Sequence, residues 1–172
     1  QYAPDTSLVF PGVHHRIDTA HSDAGVARAD VPVIVRLMAP GADTHATLTG
    51  LTDEGKPVEL GKIELTADTV TDTALHSVPD KVTAIHVTSD EPVIGGVRSD
   101  VLHTGANDFT WMAPATRFEA DEQANAIVHK GGKLTLVNLS DGGAEFKVGD
   151  KTVKLDGGAT WQGATPARVT LS

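Results

Sequence analysis

Apolar residues along this chain recur at every second position far more often than at every third or fourth. The stretches VPVIVRLM (31–38), HATLTGL (45–51), TAIHVTS (83–89), KLTLVNL (133–139), AEFKVG (144–149) and KTVKL (151–155) are short, rich in β-branched residues and bounded by Gly, Pro, Asp or Ser. That alternation predicts strands with one face turned to a core, and branched side chains suit a pleated, half-buried surface. Turn residues separate the runs at about 8–12-residue intervals, in APGAD (39–43), TDEGKP (52–57), SDEP (89–92), SDGG (140–143) and GD (149–150). Gly149-Asp150, between EFKV and KTVKL, has the form of a two-residue hairpin. Only FEADEQANA (118–126) has helix-forming composition, and without an apolar stripe it predicts one or two helical turns at most. The pattern predicts an all-β fold: an antiparallel two-sheet β-sandwich, immunoglobulin-like or related, with little or no helix.

The pattern also repeats. SLVFPGVHHR (7–16) can be laid on FTWMAPATRF (109–118) with Pro11 over Pro114. PVIVRLMAPGADTHATLTG (32–50) can be laid on KLTLVNLSDGGAEFKVG (133–149), with Val33 over Leu134 and Val35 over Leu136; KPVEL (56–60) then meets KTVKL (151–155). One unit over residues 1–172 with pseudo-repeats at about 7–100 and 108–172 is expected, and two small sandwiches divided near 101–108 are the alternative. The second copy lacks a counterpart of VTAIHVTSDEPVIGGVRSD (82–100), read as the closing hairpin of the first, and a short copy leaves a sheet edge to be covered.

The 172 residues bury roughly 70% of their unfolded surface on folding and need no staple. The absence of cysteine removes disulfides, thiolate metal sites and a catalytic thiol from consideration. A net charge of −9 without a basic cluster opposes nucleic acid as a partner. No apolar run approaches the ~18 residues of a membrane helix. The chain opens at Gln1 rather than methionine, which suggests a processed piece whose leader has been removed.

WMAPATRF, the strand–turn–strand LVNLSDGGAEFKV and the segment SDEPVIGGVRSD resemble an actinobacterial exported domain family of unknown function. The resemblance extends over about residues 7 to 172 and rests on strand and turn motifs. It implies an envelope-associated β-sandwich, often encoded beside cell-wall glycosyltransferases, and transfers no catalytic residue. Ser140-Asp141 and Ala39-Pro40 stand where that family prefers Asn-Pro.

Candidate chemistry is sparse. HHRIDTAHSD (14–23) gathers His14, His15, His21, Asp18 and Asp23, residue types that ligate zinc, copper or nickel, but in no established metal-binding spacing. His86 lies mid-strand, where alternation turns it toward solvent or a sheet edge. No serine sits in a Gly-x-Ser-x-Gly elbow, and the adjacent acidic pairs Asp53-Glu54, Asp90-Glu91 and Asp121-Glu122 read as solvated turn residues. Trp111 and Trp161 are the candidates for a flat carbohydrate platform. GGKLTLVNLSDGGAEFKVGD (131–150) carries glycines followed by strands rather than by a helix N-terminus, so it does not form a phosphate cradle. Its Asn138-Leu-Ser sequon falls near a strand end and is not expected to be glycosylated.

The expectation is a non-enzymatic, exported structural or protein-interaction module of the cell envelope. It takes no cofactor, spans no membrane within this chain, and contacts another envelope protein or a second copy of itself through sheet edges. A carbohydrate- or cell-wall-binding module using Trp111 or Trp161 is one alternative. A metal-dependent hydrolase built on His14, His15, His21 and Asp23 is the other.

Overall fold

A computed structural model describes residues 3–13, 32–103, 106–119, 122–127, 132–164 and 168–171. Thirteen strands account for the regular structure among these residues: β1 (Asp5–Pro11), β2 (Val33–Met38), β3 (Thr44–Thr52), β4 (Val58–Leu65), β5 (Thr71–Leu75), β6 (Val82–His103), β7 (Ala106–Met112), β8 (Ala124–Ile127), β9 (Lys133–Val137), β10 (Ala144–Val148), β11 (Lys151–Leu155), β12 (Thr160–Ala164) and β13 (Arg168–Leu171). The fold is all-β, with no helix among the described residues, and none there long and apolar enough to cross a membrane. The helical turn expected within 118–126 is absent from the described part of that segment, and Ala124–Ile127 is a strand.

β6 organises the molecule. At about 3.3 Å per residue its 22 residues would span about 70 Å if straight, about twice the width of a small domain. Instead the strand changes neighbours midway. Its first half pairs with β1 and β3, up to Thr88 and Ser89. Its second half pairs with β2 from Ile94 to Arg98 and with β7 from Val97 to His103. Between the halves the β1 register jumps from Ser7↔Thr88 to Asp5↔Val93. The Ser89 hydroxyl donates to the Glu91 carbonyl at 2.7 Å, and the Glu91 N–H donates to the Thr44 hydroxyl at 3.0 Å. SDEP is therefore a kink inside one strand, not the turn of a closing hairpin, because local side-chain bonds satisfy the backbone where the ladder is interrupted.

The consequence is one seven-stranded sheet in the order β4-β3-β6-β2-β5, with β1 and β7 also on β6. It wraps around a core that includes Phe10, Val35, Leu37, Leu48, Ile85, Val87, Val93 and Val97. A stitch ties the β2–β3 connection to the β4–β5 connection. Ala39 bridges Ala67, the Asp68 N–H donates to the Ala39 carbonyl at 2.8 Å, and the Ala67 N–H donates to the Asp43 carboxylate at 2.7 Å. Asp68 takes the left-handed φ of 56°, which Asp tolerates better than most residues, and its carboxylate accepts the Gly41 N–H. Instead of the expected pair of facing sheets, the first part is a nearly closed, barrel-like sheet.

The later strands form two small sheets, β11-β10-β13-β8 and β12-β9, around Leu136, Val148, Val153, Leu155, Ala159 and Leu171. Gly149 takes a φ of 60° in the two-residue turn between Val148 and Lys151, as the hairpin there requires. Val137 packs on Val9, Leu51 and Ala84 of the large sheet, and the Thr83 and Thr160 hydroxyls share a hydrogen bond of 2.6 Å.

The pairings of the later strands follow those of the earlier ones in the same chain order. β2 pairs with β5, matching Val33 to Leu75 and Val35 to Thr73; β9 pairs with β12, matching Leu134 to Gly163 and Leu136 to Trp161. β3–β4 and β10–β11 are each antiparallel hairpins. β3 lies on β6 as β10 lies on β13. Against β13, β8 holds the place of β1 against β6. The strand part of FTWMAPATRF, laid over residues 7–16 by sequence, instead runs in β7 along the far half of β6.

Candidate interaction surface

Alternation along β2 sends Val33, Val35 and Leu37 inward and leaves Arg36 on the outer face. Asp72 lies directly across from Arg36 on β5. The two side chains form a bidentate pair, with Arg36 Nε donating to Asp72 Oδ1 and Nη2 to Oδ2, each at 2.6 Å. This hydrogen bonding holds the Asp72 carboxyl below the usual carboxylate range, and Arg36 and Arg98 add favourable charge. The same bond, followed by the carboxylate charge, raises the Arg36 guanidinium.

On the other side of β2, the twin glycines of VIGGVRSD shape the face. Gly95 sits opposite Leu37, where a Cβ would overlap the Arg36 backbone and approach Leu37 Cδ2 to 2.6 Å. Gly96 leaves an opening over β6, and the Trp111 ring from β7 fills it, 3.4 Å from where a Cβ would stand. The ring thereby reaches across β6 to β2, and the Arg36 guanidinium stacks 4.9 Å from its centroid. One step along, Arg98 lies 5.4 Å from the centroid of Phe109. Trp111 is 42% exposed and Phe109 57%. The outer face of β5-β2-β6-β7 thus carries an exposed row of carboxylate, guanidinium and aromatic rings, in a chain whose net charge is −9.

Trp161 has a different setting. Its ring lies over Gly163 on the same strand, packs against the smaller core and carries Lys151 Nζ 5.0 Å from its centroid. Of the two tryptophans proposed as ligand platforms, Trp111 is the more open to solvent.

A polar cluster lies where β1 meets the first half of β6. Arg117 Nη2 donates to Ser7 Oγ at 3.1 Å, and Ser7 Oγ lies 2.9 Å from His86 Nε2. The serine hydroxyl thus bridges the guanidinium and the imidazole, with the direction of the Ser7–His86 bond set by the ring's tautomer. Burial lowers the His86 pKa, and the nearby Arg117 charge lowers it further. His86 is thus half-buried between β1 and β3, opposite Val9 and Thr49, rather than turned freely to solvent. Among the described residues no carboxylate bonds to its ring, so the third member of a triad is missing there.

His14, His15, Asp18, His21 and Asp23 lie outside the described residues. Among the described residues no group of three or more His, Asp or Glu side chains could hold a metal ion. Asp53, Glu54 and Glu91 are exposed. Glu54 is paired with Lys81 at 2.8 Å and Lys56 at 3.5 Å. Arg36, Asp72, Arg98 and Phe109 were not singled out from sequence. Alternation alone sets Arg36 on the outer face, but the neighbours it meets depend on the order of the strands.

The sequon asparagine is also placed. Asn138 is 4% exposed. Its amide donates to the carbonyls of Gly142, Leu155 and Asp156 at 2.8, 3.2 and 3.1 Å, and its oxygen accepts from the N–H and hydroxyl of Ser140 at 3.0 and 2.8 Å. Asn138 is a buried clamp on the β9–β10 turn, and its amide nitrogen is not presented to a glycosylating enzyme in the folded chain.

The fold and this face define an all-β protein with an exposed aromatic–guanidinium row on a barrel-like sheet. The chain belongs to DUF5719, a family of unknown function whose model matches residues 1–172. No curated protein matches it. Among solved structures, the chain is similar to the crystal structure of Thermotoga maritima 1070, at 14% identity and a TM-score of 0.49, over 67% of this chain and 97% of that one. It is also similar to the Anabaena sensory rhodopsin transducer, at 12% identity and a TM-score of 0.42, over 56% of this chain and 98% of that one.

Proposed function

We propose that this chain is a non-enzymatic protein-interaction module of an exported, envelope-associated kind, of the actinobacterial type that its strand and turn motifs resemble. Its contact surface is the outer face of β5-β2-β6-β7. The observation that carries this reading is the exposed Trp111–Arg36–Asp72 row with Phe109 beside it. Trp and Arg dominate the energetics of protein interfaces, where large rigid rings and planar donors lose little entropy on contact. The recurrence of strand pairings is read as two copies of one sandwich-like unit, the first of them nearly closed.

The test is photo-crosslinking in producing cells, with the crosslinking amino acid at Phe109 and, as a control, at Lys62 on β4. A specific adduct to one envelope protein from position 109, lost in the Trp111→Ala background, supports the reading. Equal adducts from both positions, or none from 109, contradict it. A cell-wall glycan is the second reading, favoured by the solvent-open Trp111 ring beside hydrogen-bonding side chains. Retention on purified cell-wall polymer that Trp111→Ala abolishes would replace the protein partner with a glycan.

A further inference from the structure

The segment that leaves β7 ties the two sets of strands together. Pro114 is buried, and the Ala115 N–H donates to the Val9 carbonyl at 2.7 Å. Two residues on, Arg117 Nη2 donates to Ser7 Oγ, so this segment runs antiparallel along β1. Phe118 then packs against the smaller core, edge-on to Phe146 with ring centroids 6.0 Å apart. Residues 113–118 thus form a strap, held on β1 at one end and in the smaller core at the other.

One hydroxyl oxygen separates the Arg117 guanidinium from the His86 imidazole, because Ser7 Oγ bridges the two. A neutral ring shares that hydroxyl with Arg117 in either tautomer. A protonated ring can only donate, and its charge would stand half-buried beside a second cation. His86 is fixed midway along the first half of β6, opposite Val9, whereas Arg117 is exposed on the strap. Moving Arg117, and the strap with it, is therefore the way to separate the charges.

Other charged groups flank this face. The Asp5 carboxylate on β1 accepts the Ser7 N–H at 3.1 Å. Glu59 and Lys62 on β4 stand opposite Thr49 and Thr47, so β3 separates them from His86. His45 on β3 lies 4.0 Å from Glu64 and 3.8 Å from Asp90. Glu119 follows Phe118 on the strap, and Lys133 lies at the opposite end of β9 from Val137, the residue that packs on Val9. Burial and the Arg117 charge both disfavour the charged ring.

We propose that His86 is a pH-sensitive latch: its uncharged ring holds the Arg117 strap on β1, and protonation releases the strap and loosens the connection between the two sets of strands. Opening returns His86 toward its ordinary value of 6.5 and so takes up a proton. The latched form is favoured above that value and loses its advantage as pH falls through it. The opening equilibrium should rise severalfold on acidification, by at most about tenfold per pH unit.

The test is native-state exchange of the Ala115 amide in the whole chain, expressed as a protection factor between about pH 7 and about pH 5, with the core residue Val87 as reference. Ala115 protection should fall severalfold while Val87 protection holds, and His86→Gln should abolish the fall. Arg117→Met, at an exposed side chain, removes the second cation and should also flatten it, from a lower starting protection. Ala115 protection that is constant with pH overturns the proposal. So does a fall shared with Val87, or one as large in either variant as in the parent.

Discussion

Asn138 concentrates more hydrogen bonding than any run of apolar residues around it would suggest. Replacing it with alanine leaves the carbonyls of Leu155 and Asp156 and the N–H of Ser140 without their side-chain partner. Each buried polar group left unsatisfied costs about 1–3 kcal/mol; surface water can reach part of this turn, so Asn138→Ala should lose about 2–3 kcal/mol in total. A urea midpoint within error of the parent would contradict that clamp. His86 makes a prediction of the opposite electrostatic kind. Its folded pKa lies below the ordinary value of 6.5, so the folded state favours the neutral ring. That contribution is complete above the ordinary value and is lost as pH falls through it, because the unfolded chain takes up a proton that the folded one resists. His86→Gln should therefore flatten the fall in stability between about pH 7 and about pH 5, and identical slopes for parent and variant would contradict this. Neither role was legible in sequence. The sequon and the lone strand histidine were visible, but the carbonyls that the Asn138 amide grips lie 4 to 18 positions away and Ser7 lies 79 from His86.

Strands with β-branched runs on both sides of a clear turn were readable. KTVKL is β11 residue for residue, and VIVRLM is β2. Strands with polar inner positions were not. β5 (TDTAL) alternates, but only Leu75 of its five residues is buried, and β12 owes its place to Trp161 and its partner β9 rather than to a pattern of its own. SDEP misled because Pro and Asp are strong turn formers locally, whereas here Ser89 and Thr44 absorb the irregularity within a continuous strand. The twin glycines have unequal roles, which gives a third prediction. Gly95→Ala forces β2 and β6 apart, since its Cβ would meet the Arg36 backbone, and should destabilise by about 2 kcal/mol or more. Gly96→Ala meets the Met112 carbonyl oxygen at 3.3 Å and the movable Trp111 ring at 3.4 Å, neither closer than a shift of a few tenths of an ångström relieves. It should cost about 1 kcal/mol or less and show itself as a changed Trp111 emission in a Trp161→Phe background. Equal losses from the two substitutions would contradict the assignment of inner and outer faces.

At the scale of the whole molecule, the repeat and the shorter second copy were visible as two similarly spaced strand–turn–strand patterns, but the single long strand that joins the halves of the first was not. The first set of strands closes around a core with a 22-residue strand shared between its halves. The second repeats the β2–β5, β3–β4, β1–β6 and β3–β6 pairings around fewer buried side chains, and its β13 has four residues. Local stability follows buried contact and hydrogen bonding, so β9–β13 should open at lower denaturant than β2–β6. Among the described residues β2 is paired on both sides and β9 on one, and native-state amide hydrogen exchange of the free protein, compared strand by strand, tests that difference between the two sets of strands most directly. Protection throughout β2, with alternate fast-exchanging amides in β9, is the predicted result. Uniform protection along both strands would contradict it.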